Sequence, residues 1–136
     1  MKNNIVGLSS EKSRIVFYRP DILFGAAGQP DILLDGNKVG RSLRGTVFYV
    51  DIEPGKHQIT VPAMLYPGET TINIEAIQGE LIYVKTSMGG ASFIGRTDVE
   101  KINAEQAIKE IENLVFLSEP NRPQKASNYR EKESYR

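Results

Sequence analysis

Residues 14–61 read RIVFYRPDILFGAAGQPDILLDGNKVGRSLRGTVFYVDIEPGKHQITV, and this stretch decides the fold. Short runs of alternating apolar and polar residues are typical of β-strands, and proline or glycine between them is typical of turns. The turn signals are Arg19-Pro20, Gln29-Pro30, Asp35-Gly36 and Pro54-Gly55. No helical period interrupts these strands, so we expect an antiparallel β-sandwich rather than an alternating α/β fold.

The turn residues also predict local geometry. Asp35-Gly36 predicts a tight hairpin, because both central positions of such a turn adopt positive φ. Pro54-Gly55 predicts a type II turn. The strand over 45–52 is apolar on both faces, which predicts a central position in its sheet. The predicted strands span residues 14–19, 32–34, 38–39, 45–52, 57–61, 70–76 and 80–86.

The apolar period changes after these strands and predicts one C-terminal helix over residues 103–117. Asn103 is a good N-cap, and Gln106 completes a capping box. We expect the helix to pack on one face or the open end of the sandwich; the alternative is a groove on another protein. A flexible leader over 1–13 and a flexible polar tail over 118–136 then flank a domain over 14–117.

Composition excludes several classes of function. The 136 residues include 17 basic and 17 acidic side chains, and this zero net charge argues against nucleic-acid binding. The absence of cysteine excludes disulfides and thiolate chemistry, and no apolar run is long enough to span a membrane. Residues 1–13 lack a signal-peptide core, so either the protein is cytoplasmic or a signal has been removed.

His57 is the one histidine of the chain, so any histidine mechanism must use it. We predict that its ring closes the core near a turn and bonds a backbone carbonyl. The alternative is a small hydrolase that uses His57 with a nearby carboxylate. One histidine cannot form a zinc constellation alone, and we predict no metal, no cofactor and no catalytic residue.

Three other patterns have a structural and a functional interpretation. Lys38, Arg41 and Arg44 predict a solvated turn or a small basic patch for an acidic partner. The sequence GASFIGRT at 90–97 is close to a phosphate-binding loop, but the predicted helix begins too late for one, which favours a simple connection. The tyrosines offer a stacking surface for sugars: Tyr18, Tyr49, Tyr66 and Tyr83.

The order of these motifs resembles a known bacterial family. The relevant segments are FYRP at 17–20, Phe24-Gly25, LLDGNKVG at 33–40, GTVFYVDIEPGKHQITV at 45–61 and ELIYVKT at 80–86. Together they resemble the bacterial domain-of-unknown-function family twenty-eight forty-six. The turn pattern is similar to that of PEGA-type sandwich modules, in which Pro54 to Ile59 would form a hairpin.

The resemblance implies a transthyretin- or PEGA-like sandwich in a small envelope protein, often a lipoprotein with a signal peptide. Its recurring residues map onto Arg19, Pro20, Asp35, Gly36, Gly40, Gly55 and His57, as determinants of turns and core. We therefore expect a non-enzymatic, periplasmic or outer-membrane-associated module with a lipid anchor in its precursor. We expect it to bind another envelope protein, as an accessory of a secretion or surface assembly. The alternative is a module that binds cell-wall glycan or another surface polymer.

Overall fold

Two β-sheets packed face to face form the fold of this chain. A computed structural model describes residues 7–23, 28–64, 68–88 and 97–121. Within these ranges the helix α1 spans Ala104–Ile111. The strands are β1 Ser13–Arg19, β2 Asp31–Leu34, β3 Asn37–Arg41, β4 Thr46–Ile52, β5 Gly55–Pro62, β6 Glu69–Ala76, β7 Leu81–Met88, β8 Thr97–Ile102 and β9 Val115–Phe116.

The predicted mainly-β sandwich is confirmed. One sheet has five strands in the order β8-β7-β1-β4-β9, and the other has four in the order β3-β2-β5-β6. Pairing is antiparallel except for β1 with β7 and β4 with β9, which run parallel. Parallel neighbours cannot be joined by a tight hairpin. Between β1 and β7 the chain forms the four-stranded sheet and β4, and between β4 and β9 it forms β5 to β8 and α1.

β1 is the central strand of the five-stranded sheet and is buried on both faces. Ile15 and Phe17 face the four-stranded sheet, where Phe17 stacks on Phe48 at 5.2 Å between ring centroids. Val16 and Tyr18 face the opposite side and pack under the helix. All seven residues of β1 are buried, which explains why its sequence is apolar on both faces.

The hairpin between β2 and β3 has the predicted turn. Asp35 and Gly36 both have positive φ, at 51° and 85°. The register shifts between Ile32 and Leu33, so β3 contains a bulge that leaves Gly40 opposite Ile32 on the core side. A Cβ at Gly40 would stand 2.6 Å from the ring of Phe48, so only glycine fits there.

The expected hairpin at Pro54–Gly55 is wrong. β4 belongs to the five-stranded sheet and β5 to the four-stranded sheet, so Glu53 and Pro54 form a corner between sheets. Gly55 has a φ of 124°, which only glycine adopts readily, and it already pairs with Ala76 as the first residue of β5. The sequence signal marked the end of β4 correctly but not the sheet that the chain enters next.

The predicted helix over 103–117 is too long. It begins as expected, with the Asn103 side chain accepting the Gln106 N–H at 2.9 Å, but ends at Ile111. The next residues form β9, whose Val115 N–H donates to the Gly45 carbonyl at 2.9 Å. Apolar residues at 111, 114 and 115 keep a helical spacing, but Val115 pairs with Thr46 of β4 and is buried there.

Helix α1 packs on the outer face of the five-stranded sheet, as expected. Its buried residues are Ala107 and Ile111. Glu110 accepts the Tyr18 hydroxyl at 2.6 Å and the Lys85 ammonium at 3.1 Å. Burial together with this hydrogen bond to Glu110 raises the pKa of Tyr18 far above its usual value, which keeps the phenol protonated as a donor.

Several predictions fall on residues outside the described ranges. They concern Phe24-Gly25, Tyr66, most of the glycine-rich stretch at 90–97, the first part of the leader and residues 122–136 of the tail. The described end of the leader meets the domain, because the Lys12 carbonyl accepts the Gly79 N–H at 2.8 Å.

Candidate functional site

The edges of the two sheets are the first candidates for a binding site, because an edge strand offers unpaired backbone groups to another chain. On one side of the sandwich the edges are β9 and β3. β9 pairs only two residues with β4, and β3 is five residues long and bulged. The Asn121 side chain donates to the Lys38 carbonyl of β3 at 3.1 Å. On this side, short strands, a bulge and the C-terminal chain leave little backbone open to another strand; we call it the guarded side.

On the other side the edges are β8 and β6, and β6 is the candidate site. β6 is eight residues long, reads ETTINIEA and pairs along its whole length with β5. It contains no proline, lysine or arginine, and its only charged side chains are Glu69 and Glu75 near its two ends. β8 differs, because Asp98, Glu100 and Lys101 give it charges of both signs.

The hydrogen bonds of Gln58 show which backbone groups of β6 face outward. The Gln58 carbonyl accepts the Asp35 N–H, and the Gln58 N–H donates to the Asp35 carboxylate, each at 2.8 Å. Gln58 therefore faces β2, and its neighbours His57 and Ile59 face β6, since backbone groups alternate in direction along a strand. The open edge thus presents the N–H and C=O groups of Glu69, Thr71, Asn73 and Glu75.

An open groove of about 660 Å³ lies at one end of this edge. Asn73 and Glu75 of β6 line it on one side. On β5 the Gln58 side chain reaches Asn73 at 3.4 Å. The lining residues are Asp35, Lys56, His57, Gln58, Asn73, Ile74 and Glu75. The groove therefore joins the open edge to the corner that holds His57.

His57 is held at this corner by two acceptors. Its Nδ1 lies 2.6 Å from the Asp35 carboxylate and its Nε2 lies 2.7 Å from the Glu53 carbonyl. Neither acceptor has a proton to give while Asp35 is ionised, so both hydrogen bonds form together only when the ring is a protonated imidazolium. The predicted bond to a backbone carbonyl is confirmed, and the carboxylate is an additional partner.

The two partners change the acid–base properties of the corner. Burial lowers the pKa of His57, but the hydrogen bonds to Asp35 and Glu53 and the charge of Asp35 outweigh it and raise that pKa. The hydrogen bond from His57 lowers the pKa of Asp35. The Glu53 side chain, in turn, pairs with Lys12. A ring that donates through both nitrogens has no lone pair for a general base. This geometry therefore fits a structural role, in which His57 connects Asp35 to Glu53.

The predicted basic patch is divided by local ion pairs. Lys38 lies 3.3 Å from Asp31, and the Nε of Arg44 donates to Asp21 at 2.6 Å. Arg41 is half-buried beside the core, and its Nη2 is a buried atom without a hydrogen-bond partner in the described part of the chain. The structure thus brings Lys38 and Arg41 onto one short strand but gives Lys38 and Arg44 acidic neighbours of their own.

The residues singled out by the family resemblance have structural positions. Arg19 is buried, and its Nη1 donates to the carbonyls of Gly28 and Ser42 at 2.5 and 2.8 Å. Pro20 follows the last residue of β1 and ends that strand. Asp35 and Gly36 make the hairpin turn, and Asp35 also holds His57. Gly40 and Gly55 occupy positions already described where a side chain does not fit or is strained.

The predicted stacking surface of tyrosines is wrong for two of its members. Tyr18 and Tyr83 are 2% and 3% exposed and lie beneath α1. Tyr49 stacks on Phe116 at 5.7 Å, and the Arg14 guanidinium lies 3.8 Å from the centre of its ring. These rings pack the outer face of the five-stranded sheet and are not available as a row for sugars.

The open edge of β6 is the feature that sequence reasoning missed. The alternation of Ile72, Ile74 and Ala76 predicted the strand and its buried face correctly. Its position at the end of the sheet depends on which strands pair, and that is not local information. One signal was available: the strand has eight residues and lacks lysine, arginine and proline, so two glutamates near its ends are its only edge protection.

The described ranges contain neither a group of three potential metal ligands from His, Asp and Glu nor a helix long and apolar enough to span a membrane.

Comparison with known proteins agrees with the resemblance noted from the motifs. A family model described as "Protein of unknown function (DUF2846)" matches residues 9–96. The chain belongs to this family. The match includes β1 to β7, and therefore the open edge and the His57 corner, and it ends before β8, α1 and β9.

One curated relative from Haemophilus influenzae, named only as an uncharacterized protein, is 26% identical over 102 residues. The aligned region covers 75% of this chain and 59% of the relative. The chain thus spans less than two thirds of that relative's length.

Proposed function

We propose that this chain is a non-enzymatic interaction module of the bacterial envelope, and that it binds another protein by strand addition at β6. The observation that carries the proposal is the open edge, where Glu69, Thr71, Asn73 and Glu75 present backbone groups without a strand partner among the described residues. In strand addition, main-chain hydrogen bonds supply affinity and alternate side chains supply specificity.

The contrast with the other edges supports this choice. β3 and β9 are short, and Asn121 caps the carbonyl of Lys38. Proteins guard edges in this way to prevent unwanted pairing, so a long edge without such protection is a candidate for wanted pairing. The two bonds of His57 to acceptors support a binding role over hydrolysis at this end of the edge. Burial of Tyr18 and Tyr83 counts against the glycan alternative.

Asn73→Pro is the decisive variant for strand addition. Proline lacks the outward N–H of Asn73 but leaves the β5–β6 ladder intact, because that ladder uses the backbone of Ile72 and Ile74. Asn73→Ala is the matched control, since it removes the side chain and keeps the N–H. Circular dichroism and thermal unfolding establish that both variants keep the fold.

The measurement is affinity capture from an envelope extract of the source bacterium, read by mass spectrometry. We expect the unaltered chain and Asn73→Ala to capture the same protein and Asn73→Pro to lose it. Capture that Asn73→Pro leaves unchanged, or capture of nothing by any form, contradicts strand addition at β6.

The envelope location is the part of the proposal that follows from the family resemblance. Fractionation of source cells with an antibody against this chain tests it. Recovery in the periplasmic or outer-membrane fraction supports the location, and recovery in the cytoplasmic fraction contradicts it. The interaction test at β6 stands separately from this outcome.

A further inference from the structure

The side chains along β6 define what kind of strand fits its edge. We propose, resting on the function proposed above, that the occupant is an extended segment of another protein with basic residues at both ends and apolar residues at alternate positions between them. Its pattern over seven residues is basic, apolar, polar, apolar, polar, apolar, basic. This pattern reads the same in both directions, so it fits either orientation of the added strand.

The apolar positions follow from the inner face of β6. Ile74 is 6% exposed and Ile72 is half-buried against the core between the sheets. Side chains directly opposite each other on neighbouring strands contact one another, and apolar β-branched pairs stabilise such contacts. The residues of the added strand beside Thr70, Ile72 and Ile74 therefore extend the inner face of the sheet, where apolar side chains are favoured.

The polar positions follow from the outer face. Thr71 and Asn73 already form cross-strand pairs there, Thr71 with the Thr60 hydroxyl at 3.0 Å and Asn73 with Gln58. An added strand with threonine, serine or an amide residue opposite them continues the same row of hydrogen-bonding side chains.

The basic positions follow from charge. Glu69 and Glu75 are exposed and stand near the two ends of β6, on the same face as Thr71 and Asn73. Lys56 lies opposite Glu75 on β5 and partly offsets its charge, whereas the residue opposite Glu69 is Pro62. The neighbouring edge β8 adds Asp98 and Glu100 against Lys101. A basic residue beside Glu69 thus contributes more than one beside Glu75.

A second copy of this chain does not supply this pattern through the same strand. β6 contains no lysine or arginine, so pairing of β6 with its own copy brings no positive charge to either Glu69 or Glu75. In the register that places Thr71 opposite Asn73, the two glutamates face each other at both ends, which is destabilising. The charge pattern therefore favours another protein as the source of the strand.

Three synthetic peptides test the proposal against the full chain. The first is Lys-Val-Thr-Val-Thr-Val-Lys and the second has glutamate at both ends. The third is the basic peptide with both threonines and the central valine replaced by proline, which removes backbone donors in either orientation of the strand. Binding is measured by fluorescence anisotropy at low and at physiological ionic strength. We expect the basic peptide to bind about tenfold more tightly than the acidic one. The ratio should shrink as salt rises, and the proline peptide should not bind.

Variants of the chain place the binding at β6. Asn73→Pro should abolish binding of the basic peptide, and the double variant Glu69→Lys with Glu75→Lys should reverse the preference between the charged peptides. Equal binding of both charged peptides, no binding of either, or binding that survives Asn73→Pro overturns the proposal. A dimer in analytical ultracentrifugation that Asn73→Pro dissociates places a second copy at the edge and also overturns it.

These outcomes are separable from those of the proposed function. If capture of a natural partner depends on Asn73 while the peptides show no charge preference, strand addition stands and the partner chemistry is wrong. If capture does not depend on Asn73 and the basic peptide also fails, both proposals are wrong.

Discussion

The two sides of this sandwich treat their sheet edges in opposite ways. On the β3–β9 side the C-terminal chain completes the sheet: β9 pairs with Thr46 and Val47, and Leu117 N–H donates to the Val47 carbonyl at 2.9 Å. On the β6–β8 side β8 lies close to β6, but no strand of the described chain pairs with the outer edge of β6. The same fold therefore has one side whose edge is completed by its own C-terminal chain and one side whose long edge strand has no pairing partner among the described residues.

Under the function proposed above, this difference separates the residues that stabilise the fold from those that bind a partner. Leu117 and Val115 are 2% and 1% exposed, so the guarded side holds buried apolar side chains. On the open side Ile74 and Ala76 also point into the core, whereas Thr71, Ile72 and Asn73 are half-buried or exposed. Substitutions on the guarded side should thus cost folding free energy, and those on the open edge should cost binding.

The largest effect is a difference in unfolding free energy between Leu117→Ala on the guarded side and Ile72→Ala on the open side. Leu117 belongs to the core between the sheets, and truncation of a buried leucine leaves a cavity. We expect a loss of about 2–4 kcal/mol of unfolding free energy for Leu117→Ala and about 1 kcal/mol for Ile72→Ala. Urea unfolding followed by circular dichroism measures both. Equal losses would mean that the two sides contribute alike to the core.

A second substantial effect is expected for Gly40→Ala on the guarded side. The new Cβ would overlap the Phe48 ring, which is itself 1% exposed and has little room to move. We expect a cost of about 1–3 kcal/mol, from overpacking. The double variant Gly40→Ala with Phe48→Leu separates overlap from other causes, because it should cost less than the sum of the two single changes. Strict additivity would exclude overlap as the reason.

A moderate, pH-dependent effect is expected at the His57 corner beside the open edge. The raised pKa of His57 contributes stability that is fully present below its ordinary value of 6.5 and is lost as pH rises through the folded-state pKa. The lowered pKa of Asp35 contributes stability above its ordinary value of 3.8, which is lost as pH falls through the folded-state pKa. The corner is therefore most stabilising between these two values.

The control for this corner is His57→Gln, which keeps hydrogen-bonding capacity but does not titrate. Asp35 is 45% exposed, so solvent screens the pair and we expect a contribution of about 1 kcal/mol. Unfolding free energies at pH 5.5 and at about pH 8.5 should differ less in His57→Gln than in the unaltered chain. An identical pH dependence in both chains would show that the ring is not charged as inferred.

The sequence predicts the local parts of this structure well and the pairing of its parts poorly. Asp35-Gly36 determined its own turn, and Asn103 determined the start of α1, because both act through neighbouring backbone groups. Pro54-Gly55 marked the boundary between β4 and β5, but the sheet entered afterwards depends on distant strands. Residues 114–117 show the same limit, since their apolar spacing fits a helix while the Gly45 carbonyl accepts their first strand bond.

The candidate site shows the same difference between features set by neighbouring residues and features set by strand pairing. His57 was predicted to bond a carbonyl from its place beside a turn, and it does so. Its second bond joins it to Asp35, 22 residues earlier, and that contact requires β2 and β5 to be neighbours. The open edge of β6 likewise exists only through the strand order, so neither feature could be obtained from local pattern alone.

The smallest effects are expected for Lys38→Ala and Arg44→Ala. Lys38 and Asp31 are 43% and 47% exposed, and Arg44 and Asp21 are each 37% exposed. Ion pairs in such positions contribute about 0.2–1 kcal/mol, because water screens the charges and two long side chains lose freedom. We expect each variant to unfold within about 0.5 kcal/mol of the unaltered chain and to bind the basic peptide with the same affinity. A loss above about 1 kcal/mol in either variant would make its ion pair a structural clamp of the β2–β3 region. Loss of peptide binding would instead couple the guarded side to the open one, and the separation of stability from binding would then be wrong.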